Sequence, residues 1–233
     1  MDLRDAALQA ACPVVAAPRY GELPAMVNGQ RVVVAANGLF VQIKLDWLDC
    51  MQRLMPAAPG MPLPYGPAHE RLAFSFGVLP IRLIEAFIEL GQRGLPNEVA
   101  GALIYSRRTG ALRLAMCEPV RSSPARIYYR MPMLANDETV AVDLHTHGRA
   151  APFWSADDDR DDQGIKVAGV FGCLHHDQPK AEFRLVLNGM YGALPHPWQA
   201  RLPTDGAEDA TVEEGFLHNI LKLLGGRNRP WNI

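Results

Sequence analysis

Apolar and polar positions show a clear β pattern early in the chain. Residues 31–36 (Arg-Val-Val-Val-Ala-Ala) and 39–45 (Leu-Phe-Val-Gln-Ile-Lys-Leu) flank Asn37-Gly38. β-Branched runs on either side of Asn-Gly predict a hairpin closed by a type I′ turn, whose two central residues take positive φ. Asp46 then stands where it would cap a short helix through Met51 and Leu54. Farther on the period changes. Behind Pro80, the residues Ile81, Leu83, Ile84, Phe87, Ile88 and Leu90 form a stripe at helical spacing, and Gly94 closes it. Strands are predicted at 98–105 and 111–117, joined by a turn at Arg107-Arg108-Thr109-Gly110, and again at 125–130, 139–146, 167–174 and 182–187. Thr211-Val-Glu-Glu214 opens one more helix with a capping-box pattern. Its face is Val212, Phe216, Ile220 and Leu224, and Gly225-Gly226 ends it.

A helix followed by strands with short turns predicts an α+β fold, a mixed β-sheet flanked by helices. Five prolines fall within residues 56–67, too many for a helix or a central strand. That stretch reads as a semi-rigid linker. The expected organisation is an N-terminal extension with the hairpin (1–55), the linker (56–67), a main domain (68–204) and a C-terminal helix and tail (205–233).

Composition narrows the function classes. The chain has 233 residues, 48% apolar and 21% charged, which fits a globular core and excludes a disordered or collagen-like chain. Lys and Arg number 23 against 25 Asp and Glu, a net charge of −2, so no global basic field draws nucleic acid. No apolar run approaches the roughly 18 residues a membrane span needs. Asp2 and Asp5 stand where a secretory signal would be positive, so a cytoplasmic protein is expected. Cys12, Cys50, Cys117 and Cys173 show no C-x-x-C spacing and read as reduced, packed thiols.

The chemistry concentrates in residues 143–158. His145 and His147 lie two apart at the end of a predicted strand, so both imidazoles leave the same face and can converge. Asp158 follows just past a turn and can return as a third, harder ligand. Two histidines, one carboxylate and an open position describe a hydrolytic zinc site with one ion. Zinc acidifies its water from 15.7 towards about 7, yet a base is still needed to move the proton to a leaving amine. Glu98 is the natural carboxylate for that task. Ser155 lies between the histidines and the aspartate, where it could donate to a developing oxyanion.

The spacing His145-x-His147-x7-Ser155-x2-Asp158, preceded by Leu95-Pro-Asn-Glu98-Val-Ala-Gly-Ala-Leu103, resembles the JAMM (MPN+, Mov34/JAB) metallo-isopeptidase family over residues 80–187. The resemblance implies a JAB/MPN domain of cytidine-deaminase-like architecture. It also implies zinc on His145, His147 and Asp158, Glu98 as general acid/base, and Ser155 stabilising the tetrahedral intermediate. The implied substrate is a ubiquitin-like protein, cut at a peptide or isopeptide bond after its C-terminus. The layout further resembles the JAB-type component of the bacterial PRTRC cassette, which implies a ThiF/E1-like enzyme as a partner. One position departs from the pattern: deubiquitinating members usually carry Pro after the second histidine, and here it is Gly148.

Other readings of these residues lead elsewhere. The run 157–162 would need Gly at its sixth position and Glu at its twelfth to be an EF-hand loop, but Asp162 and Ala168 stand there. Its aspartates instead favour the start of a short helix through Ile165, with Asp157 or Asp159 as neighbours able to take the ligand duty of Asp158. Cys173-Leu-His175-His176 has no matching Cys/His pair and reads as a strand end. Two alternative functions stand beside this: a RadC-like role in the DNA metabolism of a mobile element, in a branch that shares the His-x-His…Asp pattern, and a non-catalytic JAB scaffold in a partner complex, as in family members that have lost the metal set.

Overall fold

A computed structural model describes residues 2–60 and 63–194. The expected helix at 211–224 and the Gly225-Gly226 pair lie outside the described residues. The chain divides into two compact units, Met1–Gly77 and Val78–Ile233.

In the first unit, α1 (Leu3–Ala11) precedes β1 (Val14–Ala16), β2 (Gly29–Ala35), β3 (Gly38–Lys44), β4 (Leu48–Pro56) and β5 (Arg71–Phe74). These strands form one sheet in the order β1-β2-β3-β4-β5, with only β1 and β2 running parallel. The side chains of Val33, Ala35, Phe40 and Met51 gather with Ala17 and Ala68 into its core. The predicted hairpin is present as β2 and β3, but its turn differs. Ala35 pairs with Gly38, so the loop is Ala36-Asn37, and the positive φ of +145° falls on Gly38 rather than on two central residues. The Asn37 amide explains the shift: its Nδ2 donates to the Ala68 carbonyl at 2.7 Å and its Oδ1 accepts from the Ala68 amide at 2.9 Å. That reciprocal pair ties the turn to the following segment.

The helix expected after Asp46 is instead β4. The edge of β3 needs a partner for its backbone groups, and residues 49–56 supply it in antiparallel register. Tertiary pairing overrides the local propensity here. β5 then pairs with β4, so residues 71–74 complete the first sheet and the second unit begins at Val78, not at Ala68.

The second unit begins with α2 (Ile81–Gly94), whose Ile84, Phe87 and Gly91 are buried. It continues through β6 (Ala100–Ser106), β7 (Leu112–Met116), β8 (Glu118–Ser123), β9 (Arg126–Arg130), β10 (Glu138–Thr146), α3 (Ala156–Asp161), β11 (Ile165–Gly172), β12 (Lys180–Leu187) and β13 (Met190–Ala193). Six strands form a mixed sheet in the order β13-β12-β11-β10-β6-β7. β8 and β9 form a separate two-stranded ribbon. Phe87 of α2 meets Phe171 edge-on at 5.3 Å, and Phe171 meets Phe183 at 5.6 Å, joining the helix to the sheet. The helix expected to run from the aspartate cluster through Ile165 stops at Asp161, because Ile165 is already paired in β11.

Only β10 and β11 run parallel in this sheet, and α3 lies on their crossover. The carboxyl ends of such a pair are where an open α/β sheet leaves a crevice. The histidines stand at that end of β10.

Candidate metal centre

β10 alternates its side chains, so Asp143, His145 and His147 fall on one face in sequence order. The Nε2 atoms of His145 and His147 stand 3.2 Å apart. Past β10 the chain turns at Gly148, with φ at +52°, a left-handed value that proline cannot adopt. Residues 148–150 are pinned to the end of β11. The Cys173 amide donates to the Ala150 carbonyl at 2.7 Å, and the Leu174 amide to the Gly148 carbonyl at 2.9 Å. Gly172 lets that loop pass, since a Cβ there would lie 2.5 Å from the Pro152 nitrogen.

The loop ends at Ser155, which caps α3. The Ser155 amide and hydroxyl each donate to Asp158 Oδ2 at 2.7 Å, and the Asp158 amide donates back to Ser155 Oγ at 3.1 Å. This capping box fixes Asp158 in the first turn. Its Oδ1 lies 3.2 Å from His145 Nε2, and Oδ2 lies 3.9 Å from His147 Nε2. One ligand atom from each of the three residues lies within 4.8 Å of the others, so the structure gathers all three sequence-predicted ligands. Asp157 and Asp159 turn elsewhere, Asp157 to Arg126 and Arg160, Asp159 to Arg184.

The electrostatics suit a cation. Burial pushes the His147 imidazole down to about 4, with His145 adding to the shift and Asp158 opposing it, so His147 is a neutral donor at neutral pH. Burial works to raise the Asp158 carboxyl, yet hydrogen bonds from His145 and Ser155 hold it well below the usual carboxylate range. A neutral imidazole and an ionised carboxylate are the forms that bind a divalent metal. His147 Nδ1 is buried without a hydrogen-bond partner, which an ordinary core histidine avoids.

Glu98 lies two residues before β6 rather than at the start of a strand. Its amide donates to the Ser123 carbonyl at 3.0 Å, and its carbonyl accepts from the Ser122 hydroxyl at 2.6 Å, so β8 holds it in place. Thr146 secures the next residue, its hydroxyl accepting from the Val99 amide at 2.9 Å. Burial pushes the Glu98 carboxyl up to about 7; His145 opposes the rise and the Asp158 charge adds to it. Glu98, the two histidines, Ser155 and Asp158 all line one cleft of about 240 Å³. Cys173, His175 and His176 are outside its lining.

With this geometry in view, comparisons with known proteins add a second line. Residues 80–186 match the family model described as prokaryotic homologs of the JAB domain. That segment is JAB-like. Residues 2–75 match a domain of unknown function, DUF2016. No curated protein matches the chain. A solution structure of protein DSY2949 from Desulfitobacterium hafniense is similar over 48% of this chain and 86% of that one, at 16% identity and a TM-score of 0.38.

Several residues of the JAB-like domain escaped the sequence reading. Phe153 packs on His147 with ring centroids 4.4 Å apart, and Trp154 meets His145 edge-on at 6.2 Å. Asp143 accepts from Tyr129 at 3.2 Å and pairs with Lys166 at 2.7 Å. Its place two residues before His145 already set it on the histidine face, a signal available from period-two alternation. Lys166 and Arg184 carried no such signal.

Proposed function

We propose that the chain is a metal-dependent hydrolase, a zinc (iso)peptidase that cuts after the C-terminus of a ubiquitin-like protein. The convergence of His145, His147 and Asp158 beside a buried carboxylate carries this reading. These three residues would hold one zinc ion, which supplies Lewis acidity to acidify a water and polarise a carbonyl. Glu98, with its carboxyl near 7, takes a proton from the attacking water and delivers it to the departing amine. The products are a carboxylate and a free amine.

The Ser155 hydroxyl has one proton, and it is donated to Asp158. Ser155 therefore acts first by orienting a ligand. The oxyanion role implied by the family resemblance needs that hydroxyl to turn away from the carboxylate. Phe153 packs on the His147 ring and helps to hold its orientation. An extended tail would add as a strand beside β9, whose residues Arg126, Ile127, Tyr128 and Tyr129 line the cleft.

Six carboxylates line the cleft (Glu98, Asp143, Asp157, Asp158, Asp161 and Asp162) with Arg126 as the one Arg or Lys among the lining residues, and even with Asp143 and Asp162 paired to Lys166 and Arg184 this offers little to a phosphate backbone. The chain turns at Gly148 in a left-handed conformation that proline cannot adopt, so this loop takes a different course from one with Pro after the second histidine. A small ubiquitin-like protein and a ThiF/E1-like enzyme, as in the PRTRC cassette, are the proposed partners. Among the described residues, no helix is long and apolar enough to cross a membrane.

Metal analysis of the purified chain, paired with cleavage of fusions that end in Gly-Gly, tests the proposal. One zinc per chain and chelator-sensitive cleavage are expected. A fully zinc-loaded protein that leaves every such fusion intact would overturn the peptidase reading.

A further inference from the structure

A chain of five alternating charges links the two elements that supply the metal ligands. Lys166 Nζ pairs with Asp143 at 2.7 Å and with Asp162 at 2.9 Å. Arg184 then grips Asp162 Oδ2 through Nε at 2.9 Å and Nη2 at 2.7 Å, and reaches Asp159 through Nη1 at 2.6 Å. One end lies on β10, two residues before His145. The other lies on α3, one residue after Asp158. Arg184 itself is 6% exposed by side chain, Asp162 9%.

The helix needs such a hold. α3 has six residues, four of them acidic, and Asp162 follows as its C-cap. So short a helix has almost no stability of its own, and carboxylates three apart repel. Asp159 and Asp162 are such a pair, and Arg184 takes both. Asp158, on the neighbouring face, is left to the histidines. The guanidinium also stacks on two rings, 3.9 Å from the Trp154 centroid and 4.1 Å from that of Tyr191. Trp154 directly precedes Ser155, and the Tyr191 hydroxyl donates to the Asp159 carbonyl at 2.6 Å. Arg184 therefore holds the chain on both sides of the Ser155–Asp158 box. Lysine offers neither the planar face nor the fork that these contacts use.

We infer that Arg184 is a positioning residue for the metal centre. By gripping Trp154, Asp159 and Asp162 it sets where Asp158 stands relative to His145 and His147. The inference rests on the metal reading above and extends it to a residue on β12 that touches none of the three ligands.

The test uses the full chain, with cobalt(II) as a spectroscopic probe and zinc affinity measured against a chromophoric chelator. Outer groups that orient metal ligands typically alter affinity by about 10–100-fold. R184M is expected to weaken zinc by that amount and to change the visible cobalt band, with R184K between it and wild type. D159N takes the charge from one arm of the grip at a half-exposed position and is expected to weaken zinc by several-fold. It decides the matter if R184M does not fold. Zinc affinity within twofold of wild type in folded R184M, or in D159N where R184M is unfolded, overturns the positioning role. A wild-type chain that binds neither cobalt nor zinc overturns the metal reading itself, so the two failures are distinct.

Discussion

Ser155 and Asp158 close a reciprocal hydrogen-bond pair at the start of α3, the serine hydroxyl donating to Oδ2 at 2.7 Å and the aspartate amide donating back at 3.1 Å. The same aspartate faces both histidines. A helix cap and a ligand set thus share one carboxylate, and the cap leaves Oδ1 turned to His145.

Ser155→Ala should therefore weaken zinc binding by about tenfold and cost about 1 kcal/mol of stability through loss of the cap. Ser155→Thr, which retains hydroxyl and cap, should restore both. Calorimetric zinc titration and thermal melts measure these. Unchanged zinc affinity with turnover slowed by about 10²–10³ would instead assign Ser155 to the oxyanion.

Glu98→Gln should retain zinc and lose turnover by about 10²–10⁴, the usual weight of a general acid/base. A pH signature accompanies it in the metal-free protein. The Glu98 carboxyl is raised from its ordinary 4.5 to about 7, so the fold binds its proton more tightly than the unfolded chain does. Its contribution is fully present below about 4.5 and is lost as pH rises to about 7. His147, lowered from 6.5 to about 4, acts in the opposite sense: its contribution is present above 6.5 and is lost as pH falls through about 4. Melting temperatures in chelator across pH 4–8 should show E98Q gaining on wild type as pH rises through that range. Parallel curves would contradict the buried carboxyl.

His147→Ala should abolish the stabilisation that zinc confers. A ligand at 100 times its dissociation constant stabilises the fold by about 2.7 kcal/mol. Differential scanning with and without zinc should show that gain in wild type alone. An equal zinc response in the variant would place the ion elsewhere.

Gly148→Pro should disrupt the centre. A proline ring holds φ near −65°, whereas Gly148 sits at +52° beside the second histidine. A side chain there also meets the Pro96 carbonyl, with Cβ at 3.2 Å. The expected cost is about 1–3 kcal/mol with loss of zinc affinity. Wild-type melting and zinc titration in G148P would show that the loop accepts proline.

Short-range pattern was enough to read the helix at Ile81–Gly94, the hairpin around Asn37 and the shared face of His145 and His147. Each depends on neighbours within four residues, where helical and strand periods act directly. Other features rest on partners far along the chain. Residues 48–56 became a strand because the edge of β3 required one, and β5 moved the unit boundary by pairing with β4. Lys166 and Arg184 pair with carboxylates 4 to 25 positions away, from different strands of the sheet. Such contacts are selected by burial, where an unpaired charge is costly and any well-placed opposite charge will serve. That rule names no partner in advance, so this network became visible only once the strands were laid side by side.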